Sequence, residues 1–405
     1  MKVFLLTDFV PDPSNGGAAL RTYGLISHMC KRHEILLFAP RYLPGGSRES
    51  SQPEELGIRV ETLDKPTLSL MDKISVRVKA LFSEIPSYWV MSSDRAIGEA
   101  ARASAKAFDP DVIVVAHLSM CRFVDYLRIG KPIVFDNHNV ESILEAQSAK
   151  LEPFSPLGLL RKLESLKVKR YESSIMSRVD LTVAVSDVDR LILQEMSPSA
   201  RVVTIANGID VDDAVPDDMP SGKVAMFAGT LQYPPNIEAA KLIAEEILPE
   251  IRKSIPDGTV KIVGRNPGPA VLGLAGPGLE IFPNVPDMKP FIDEAGVIIV
   301  PLRSGSGTRL KILEAMAKSK CIVSTSKGAE GLEITDGVDI LIRDDMKEFA
   351  AVVVGILNNP EEARRIGRNA RITVAEKYGN ERLSIELEKY LFDMVNAGKS
   401  TGQPV

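Results

Sequence analysis

The sequence predicts two α/β domains in series, each a doubly wound parallel sheet, and three observations predict it. The chain has 405 residues, more than one hydrophobic core usually serves. Short β-rich runs alternate with stretches of helical period, the pattern of parallel strands covered on both faces. After Asn207-Gly-Ile-Asp210 the alternation halts across 211–223 (VDDAVPDDMPSGK), which is acidic, contains proline and lacks large apolar groups. It then starts again, so residues 1–210 and 224–377 read as two domains joined by a linker.

In the first domain Val3–Thr7, Glu34–Ala39, Val112–Ala116, Ile133–Phe135, Leu181–Ala184 and Val202–Ile205 read as strands. Ala18–Met29 carries Leu20, Tyr23, Leu25, Ile26 and Met29 at helical spacing. In the second, strands are expected at Val224–Ala228, Val260–Val263, Glu280–Phe282, Val297–Val300, Cys321–Ser324 and Asp339–Ile342. Helices are expected at Asn236–Ile247, Met288–Ala295, Thr308–Lys318, Lys347–Leu357, Pro360–Glu376 and Glu381–Asn396, with a small, polar, frayed tail from Ala397. Ligands on such sheets sit beyond the carboxyl ends of the strands, so two of them in series imply a cleft.

Composition excludes several classes. The formal net charge is −5, and neither half carries the cationic excess that a nucleic-acid binder needs to neutralise many phosphates. No stretch approaches the roughly 20 apolar residues of a membrane-spanning helix. The first apolar run ends after four residues, so it reads as a strand rather than a signal peptide. Cys30, Cys121 and Cys321 show no paired spacing, which argues against a disulfide framework and fits a reducing cytoplasm. No HExxH or Cys/His cluster suggests a metal.

The segment Pro301–Ala317 (PLRSGSGTRLKILEAMA) carries the chemistry. Pro301 ends a strand, Arg303–Thr308 is a small Gly-Ser turn, and Leu310, Leu313, Ala315, Met316 and Ala317 give the next helix an apolar face. Such a turn lets backbone approach an anion, and the first N–H groups of the helix have no intrahelical acceptor. Ser306 or Thr308 is placed to cap the helix or meet an oxygen directly. Arg309 and Lys311 add mobile positive charge, and Lys311 is the better diphosphate contact because its ammonium acts as a point charge. Glu314 is suited to a ribose diol instead. Neither GxxxxGK[ST] nor GxGxxG is present. A plain connecting turn with solvated charges is the competing reading.

Pro301–Ala317, followed by Val323–Leu332 (VSTSKGAEGL), resembles the retaining GT-B glycosyltransferases of family 4. The likeness extends through Pro13-Ser-Asn-Gly-Gly17, His138-Asn-Val-Glu141, Val185-Ser-Asp-Val-Asp189, Asn207-Gly-Ile-Asp210, Phe227-Ala-Gly229, Tyr233-Pro-Pro-Asn236, Val263-Gly-Arg265 and Val285-Pro-Asp287. Each piece is weak alone; their order is specific. The resemblance implies two Rossmann-like domains facing across a cleft, with the nucleotide-diphosphosugar donor on the second and the acceptor on the first. It implies a final helix, 378–397, packed back on the first domain.

Residue by residue, it implies that Lys311 and Arg265 bind the diphosphate, Glu314 the ribose, and the Val285 backbone the base. Ser304, Gly305, Ser306, Gly307, Thr308, Arg309 and Leu310 form the donor turn. Gly16 and Gly17 act as a backbone cradle, and His138, beside Asn137 and Glu141, contacts the sugar or its phosphate. Two departures stand out. Ser306 occupies the place of a frequent glutamate, leaving sugar preference open. Gly229-Thr230-Leu231 lacks a usual Arg and Lys, so Arg265, Arg309 and Lys311 carry more of the charge.

The expected activity is transfer from a nucleotide sugar, such as a UDP- or GDP-sugar, to a carbohydrate, lipid-linked or small-molecule hydroxyl, without metal or other cofactor. Polysaccharide or glycoconjugate biosynthesis is the expected setting. A GT-B epimerase or phosphorylase and a non-catalytic nucleotide-sugar-binding subunit are the alternatives. Leu157–Arg178 holds six Lys/Arg against two Glu from Arg161 onward, so it reads either as a peripheral contact with the inner face of the membrane or as a solvated amphipathic helix. Lys73, Arg77 and Lys79 make a second basic patch. Arg21 reads as a surface or ligand-facing cation, Asp187 as a helix cap, and His117 as a strand-end residue without an assigned role.

Overall fold

The computed structural model describes residues 1–13, 16–41, 52–64, 83, 85, 86, 89, 94–150, 156–211, 223–305 and 309–400. Ser14, Asn15, the patch Lys73, Arg77 and Lys79, most of the linker, and Ser306, Gly307 and Thr308 lie outside the described residues. The chain forms two compact units, Met1–Asn207 with Asn380–Val405, and Gly208–Gly379.

The first unit is built on a parallel sheet of β1 (Lys2–Leu6), β2 (Glu34–Arg41), β3 (Arg59–Asp64), β4 (Val112–Ala116), β5 (Ile133–Asp136), β6 (Leu181–Ala184) and β7 (Val202–Thr204). Their order is β3-β2-β1-β4-β5-β6-β7, so the direction of winding reverses between β1 and β4. Strand side chains alternate between faces, and both faces are apolar here. Phe4, Leu6, Ile113, Val115 and Phe135 pack with Ile97, Ala101 and Ala105 and with Val168, Tyr171 and Ile175. Val3, Leu5, Val112, Val114 and Val134 pack on the other side with Leu25, Ile26, Leu383, Leu387 and Leu391.

The helices of these layers are α1 (Gly17–Met29), α2 (Gln52–Glu55), α3 (Asp94–Phe108), α4 (Glu141–Lys150), α5 (Pro156–Met176) and α6 (Asp187–Met196). The strand β3 has no counterpart in the expected elements. Its sequence, RVETLD, is polar and only partly buried, as suits a sheet edge, so it lacks the apolar run that marks a core strand.

The second unit holds β8 (Val224–Thr230), β9 (Thr259–Arg265), β10 (Leu279–Pro283), β11 (Val297–Val300), β12 (Ile322–Ser324) and β13 (Leu341–Ile342). All pairs are parallel, in the order β10-β9-β8-β11-β12-β13, with the winding reversed between β8 and β11. Its helices are α7 (Pro234–Leu242), α8 (Leu248–Ser254), α9 (Pro269–Leu272), α10 (Lys289–Glu294), α11 (Leu310–Ala317), α12 (Met346–Leu357) and α13 (Pro360–Tyr378). A π turn, Ile243–Ile247, lies between α7 and α8, where a single helix was expected to run on.

The last helix, α14 (Asn380–Ser400), belongs to the first unit and packs beside α1. Arg32 reaches it with a two-pronged contact to Glu388, 2.8 Å at the closest. Gly24 of α1 lies so near Asn380 that a Cβ there would fall 2.6 Å from its amide. The helix continues beyond Ala397, where fraying was expected.

Candidate active site

At the carboxyl edge of the first sheet, β5 ends in Asp136 and His138 follows two residues on. Arg21 is not a surface cation. It is 1% exposed, donates to both oxygens of Asp136 at 2.7–3.3 Å, and donates to the carbonyls of Ile205 and Ala206 and to Asn207 Oδ1. Burial would raise the Asp136 carboxyl, but the charges of Arg21 and His138 outweigh it and hold the group well below the carboxylate range.

His138 is 6% exposed and places Nε2 2.9 Å from Asp136 Oδ2. Its ring centroid lies 4.2 Å from that of His117, the residue after β4. Gly16 caps the start of α1 with φ 107°, a conformation open to glycine, while Gly16 and Gly17 are both exposed.

A carboxylate that the basic helix concealed supports this edge. Glu172 on α5 is 0% exposed and accepts hydrogen bonds from Asn137 Nδ2, Glu141 N, Ser142 N and Ser142 Oγ at 2.8–3.3 Å. It thereby serves as the N-terminal cap of α4 from a neighbouring helix and fixes the loop that carries His138. Burial pushes Glu172 up to about 6, against those hydrogen bonds. Burial and the charge of Glu172 push Glu141 up to about 7. Its signal in the sequence was position: Val168, Tyr171 and Ile175 form the buried face of α5, and residue 172 falls among them at helical spacing. At α6 the cap is Ser186, whose Oγ accepts from Asp189 N, and Asp187 is the first helical residue.

At the carboxyl edge of the second sheet, Gly229-Thr230 and Arg265 end β8 and β9, and Val285 and Pro301–Gly305 follow β10 and β11. Lys311 reaches back to this edge from α11. Its Nζ donates to Asn236 Oδ1 at 2.9 Å and stands 4.5 Å from the centroid of the Phe227 ring. Asn236 in turn donates from Nδ2 to the Thr230 carbonyl. Among the described residues no carboxylate lies within ion-pair distance of Lys311. Burial, then the charge of Arg309, lowers its amine to about 7, and Glu314 opposes this only in part.

The glycines are fitted to this seat. A Cβ on Gly229 would meet Asn236 at 2.8 Å and Lys311 Nζ at 3.0 Å, and one on Gly264 would fall 1.8 Å from the Gly229 carbonyl oxygen. Glu314 opens to solvent, yet the protein around it raises its carboxyl above the usual range, with Lys311 acting the other way.

The structure revises the donor turn in two respects. Helix α11 begins at Leu310 and its cap is Arg309, with no side-chain capping bond; the expected contributions of Ser306 and Thr308 fall on residues outside those described. Arg309 is 7% exposed rather than mobile, and its guanidinium lies against Gly305, whose φ of 111° a side chain would oppose. Ser304 Oγ donates to Glu238 at 3.0 Å. Arg265 is exposed, and Val285 is half-buried after the Asn284 turn. Among the described residues no group of three or more His, Cys, Asp or Glu is arranged to hold a metal ion.

Two family models match the chain: "Glycosyltransferase Family 4" over residues 15–213 and "Glycosyl transferases group 1" over residues 222–359. The chain belongs to the family 4 glycosyltransferases. The fold of this glycosyltransferase is GT-B, with two Rossmann-like units. Sucrose-phosphate synthase from Thermosynechococcus elongatus superposes with a TM-score of 0.72 at 16% identity, covering 98% of this chain and 100% of that one. HepE from Anabaena, solved with UDP, gives 0.68 at 14% identity over 97% and 100%. A TarM variant from S. aureus, solved with fondaparinux, alpha-GlcNAc-glycerol and UDP, gives 0.68 at 12% identity over 98% and 100%. An uncharacterised 44.6 kDa protein of the cps region of Klebsiella pneumoniae is 25% identical over 167 residues, which take in 39% of this glycosyltransferase and 43% of that relative.

Proposed function

We propose that this glycosyltransferase moves a sugar from a nucleotide diphosphosugar to an acceptor hydroxyl with retention of anomeric configuration, in the assembly of a polysaccharide or glycoconjugate. The observation that carries the reading is the seat of Lys311. An amine held by a neutral amide and an aromatic face, beside a helix N-terminus, is an incomplete ion pair that a diphosphate completes. In this reading Arg265 and the Arg303–Leu310 backbone share the diphosphate, Glu314 binds the ribose diol, and Val285 borders the base. The UDP present in the solved HepE and TarM complexes makes UDP the first nucleotide to try.

Negative charge grows on the diphosphate as the sugar departs. Lys311 and the start of α11 then stabilise the transition state more than the ground state, which is what accelerates the step. Asp136 is engaged by Arg21 and His138, so it is not offered to a sugar carbon. That favours attack from the donor face, with a phosphate oxygen taking the proton of the acceptor hydroxyl. Asp136 instead orients His138 toward the sugar.

The acceptor is lipid-linked or surface-bound in this reading. Leu163 and Leu166 of α5 are 58% and 53% exposed, and the exposed Lys162, Lys169 and Arg170 share their face at helical spacing.

Turnover tests the proposal. Incubation with UDP-, GDP- and ADP-sugars and a panel of glycan acceptors is expected to release nucleoside diphosphate only when acceptor is present, and proton NMR of the product shows the donor's anomeric configuration. An isomerised donor, an inverted product, or tight binding without turnover contradicts it.

A further inference from the structure

We propose that His117 is a second sugar-binding residue of the first unit, hydrogen-bonding a hydroxyl of the donor or acceptor sugar beside His138. The inference rests on the transferase reading for the identity of the sugar, but its argument comes from His117 itself.

His117 follows β4, the strand next to β1 across the reversal of winding, where ligands collect on doubly wound sheets. Its backbone has φ 72° and ψ 140°, outside the left-handed helical well that Asn and Asp occupy in turns. Its N–H nevertheless donates to the Asp136 carbonyl at 3.2 Å. The neighbouring strands thus hold an uncommon conformation, of the kind that gathers at binding sites.

The side chain gives the second, independent observation. Both ring nitrogens of His117 are buried and lack a well-formed hydrogen bond among the described residues, although the Ala116 backbone makes a polar contact with the imidazole, and Nδ1 of His138 is likewise unpaired. Native proteins pair nearly all such atoms, so three together mark a place where a polar ligand completes the set. Asp136 does not fill that role, because Arg21 and His138 Nε2 occupy its oxygens. On its other side His117 meets the Phe9 ring at 5.3 Å and 44°, which holds the imidazole in place.

The chemistry of the ligand follows from charge. Burial, then the neighbouring His138, keeps His117 well below the ordinary imidazole range, so it is neutral near pH 7. A neutral imidazole offers one donor and one acceptor, as an alcohol does, whereas a phosphate oxygen offers only acceptors. The rings of His117 and His138 together suit a hydroxyl.

His117→Phe keeps the ring and removes the nitrogens, while His117→Asn keeps a donor and an acceptor. The Phe variant is expected to retain the thermal midpoint and the affinity for UDP alone, and to lose about tenfold in kcat/KM for one sugar substrate. Asn is expected to restore part of that loss. A loss confined to donor kinetics identifies the donor sugar, and one confined to the acceptor identifies the acceptor. Wild-type kinetics in the Phe variant, or a loss shared with stability and UDP binding that Asn does not restore, overturns the inference. Imidazole NMR of the wild-type chain separates the two claims. His117 signals that move with UDP-glucose or with millimolar monosaccharides, in a chain that shows no turnover, support the sugar contact and refute the transferase reading. Signals unmoved by either probe refute the sugar contact.

Discussion

The two carboxyl edges are made of similar parts and balanced in opposite ways. On the first sheet the buried charges of Arg21 and Glu172 are answered from within: Arg21 by Asp136 and three further acceptors, and Glu172 by four donors. What remains there is unpaired hydrogen-bonding capacity on the imidazoles of His117 and His138. On the second sheet Lys311 has an amide and an aromatic ring but, among the described residues, no carboxylate at ion-pair distance. An edge whose charges are paired within the fold is left to select by shape and hydroxyl pattern. An edge whose cation has no carboxylate at ion-pair distance among the described residues is, in the proposed reading, poorer in stability and ready for an anion.

Substitution of the central cation on each side should therefore have opposite effects on stability. Arg21→Met leaves Asp136 buried without its partner and is expected to destabilise the first unit by about 3–5 kcal/mol, read as an early transition in urea denaturation. Lys311→Met removes an amine whose charged form is disfavoured in the fold, and is expected to leave the thermal midpoint unchanged or raised. The sign follows from linkage. An amine lowered to about 7 weakens the fold fully below that pH, and the penalty fades as pH rises toward the ordinary lysine range. A Lys311→Met chain that unfolds as easily as Arg21→Met would erase the contrast.

Kinetics should show the next largest effect. Lys311→Ala is expected to lower kcat/KM for the donor about a hundredfold, close to 3 kcal/mol of transition-state stabilisation, while Arg21→Met acts through folding. Gly264→Ala forces a methyl group against the Gly229 carbonyl beneath Lys311 and is expected to cost about 1–3 kcal/mol of stability, with donor use falling alongside. Glu314→Ala removes one ribose partner and is expected to raise donor KM several-fold, about 1 kcal/mol, with the midpoint unchanged. A Glu314→Ala enzyme with wild-type KM moves the ribose elsewhere.

The contrast between the edges was only half legible in the sequence. Buried parallel strands announce themselves as unbroken runs such as VIVVA and VIIV, so the sheets could be read; RVETLD, at an edge, could not. The Gly-Ser turn and the following Lys311 and Glu314 are local, so an expectation for them could be formed from neighbours a few residues apart. The first edge is assembled over long separations. Arg21 meets Asp136 across 115 residues and Asn207 across 186, and no spacing rule signals such a pair. Glu172 was hidden by its setting, since a carboxylate in a basic helix looks like surface until its place on the buried face of α5 is weighed. Arg309 misled in the same way, because a cation after a flexible turn looks solvated and is instead folded against Gly305.

The central claim is that the second edge is an anion seat whose charge is Lys311, and calorimetric titration with UDP across pH tests it most directly. Affinity of the wild-type chain should be greatest between about pH 6, where the terminal phosphate ionises, and about pH 7, where the free amine begins to lose its proton. Above that it should fall by up to about tenfold per pH unit until the amine of the complex itself titrates. Lys311→Ala should bind more weakly and show no such fall. UDP affinity that is flat across pH 7–9 in the wild-type chain, and equal in Lys311→Ala, would contradict the account.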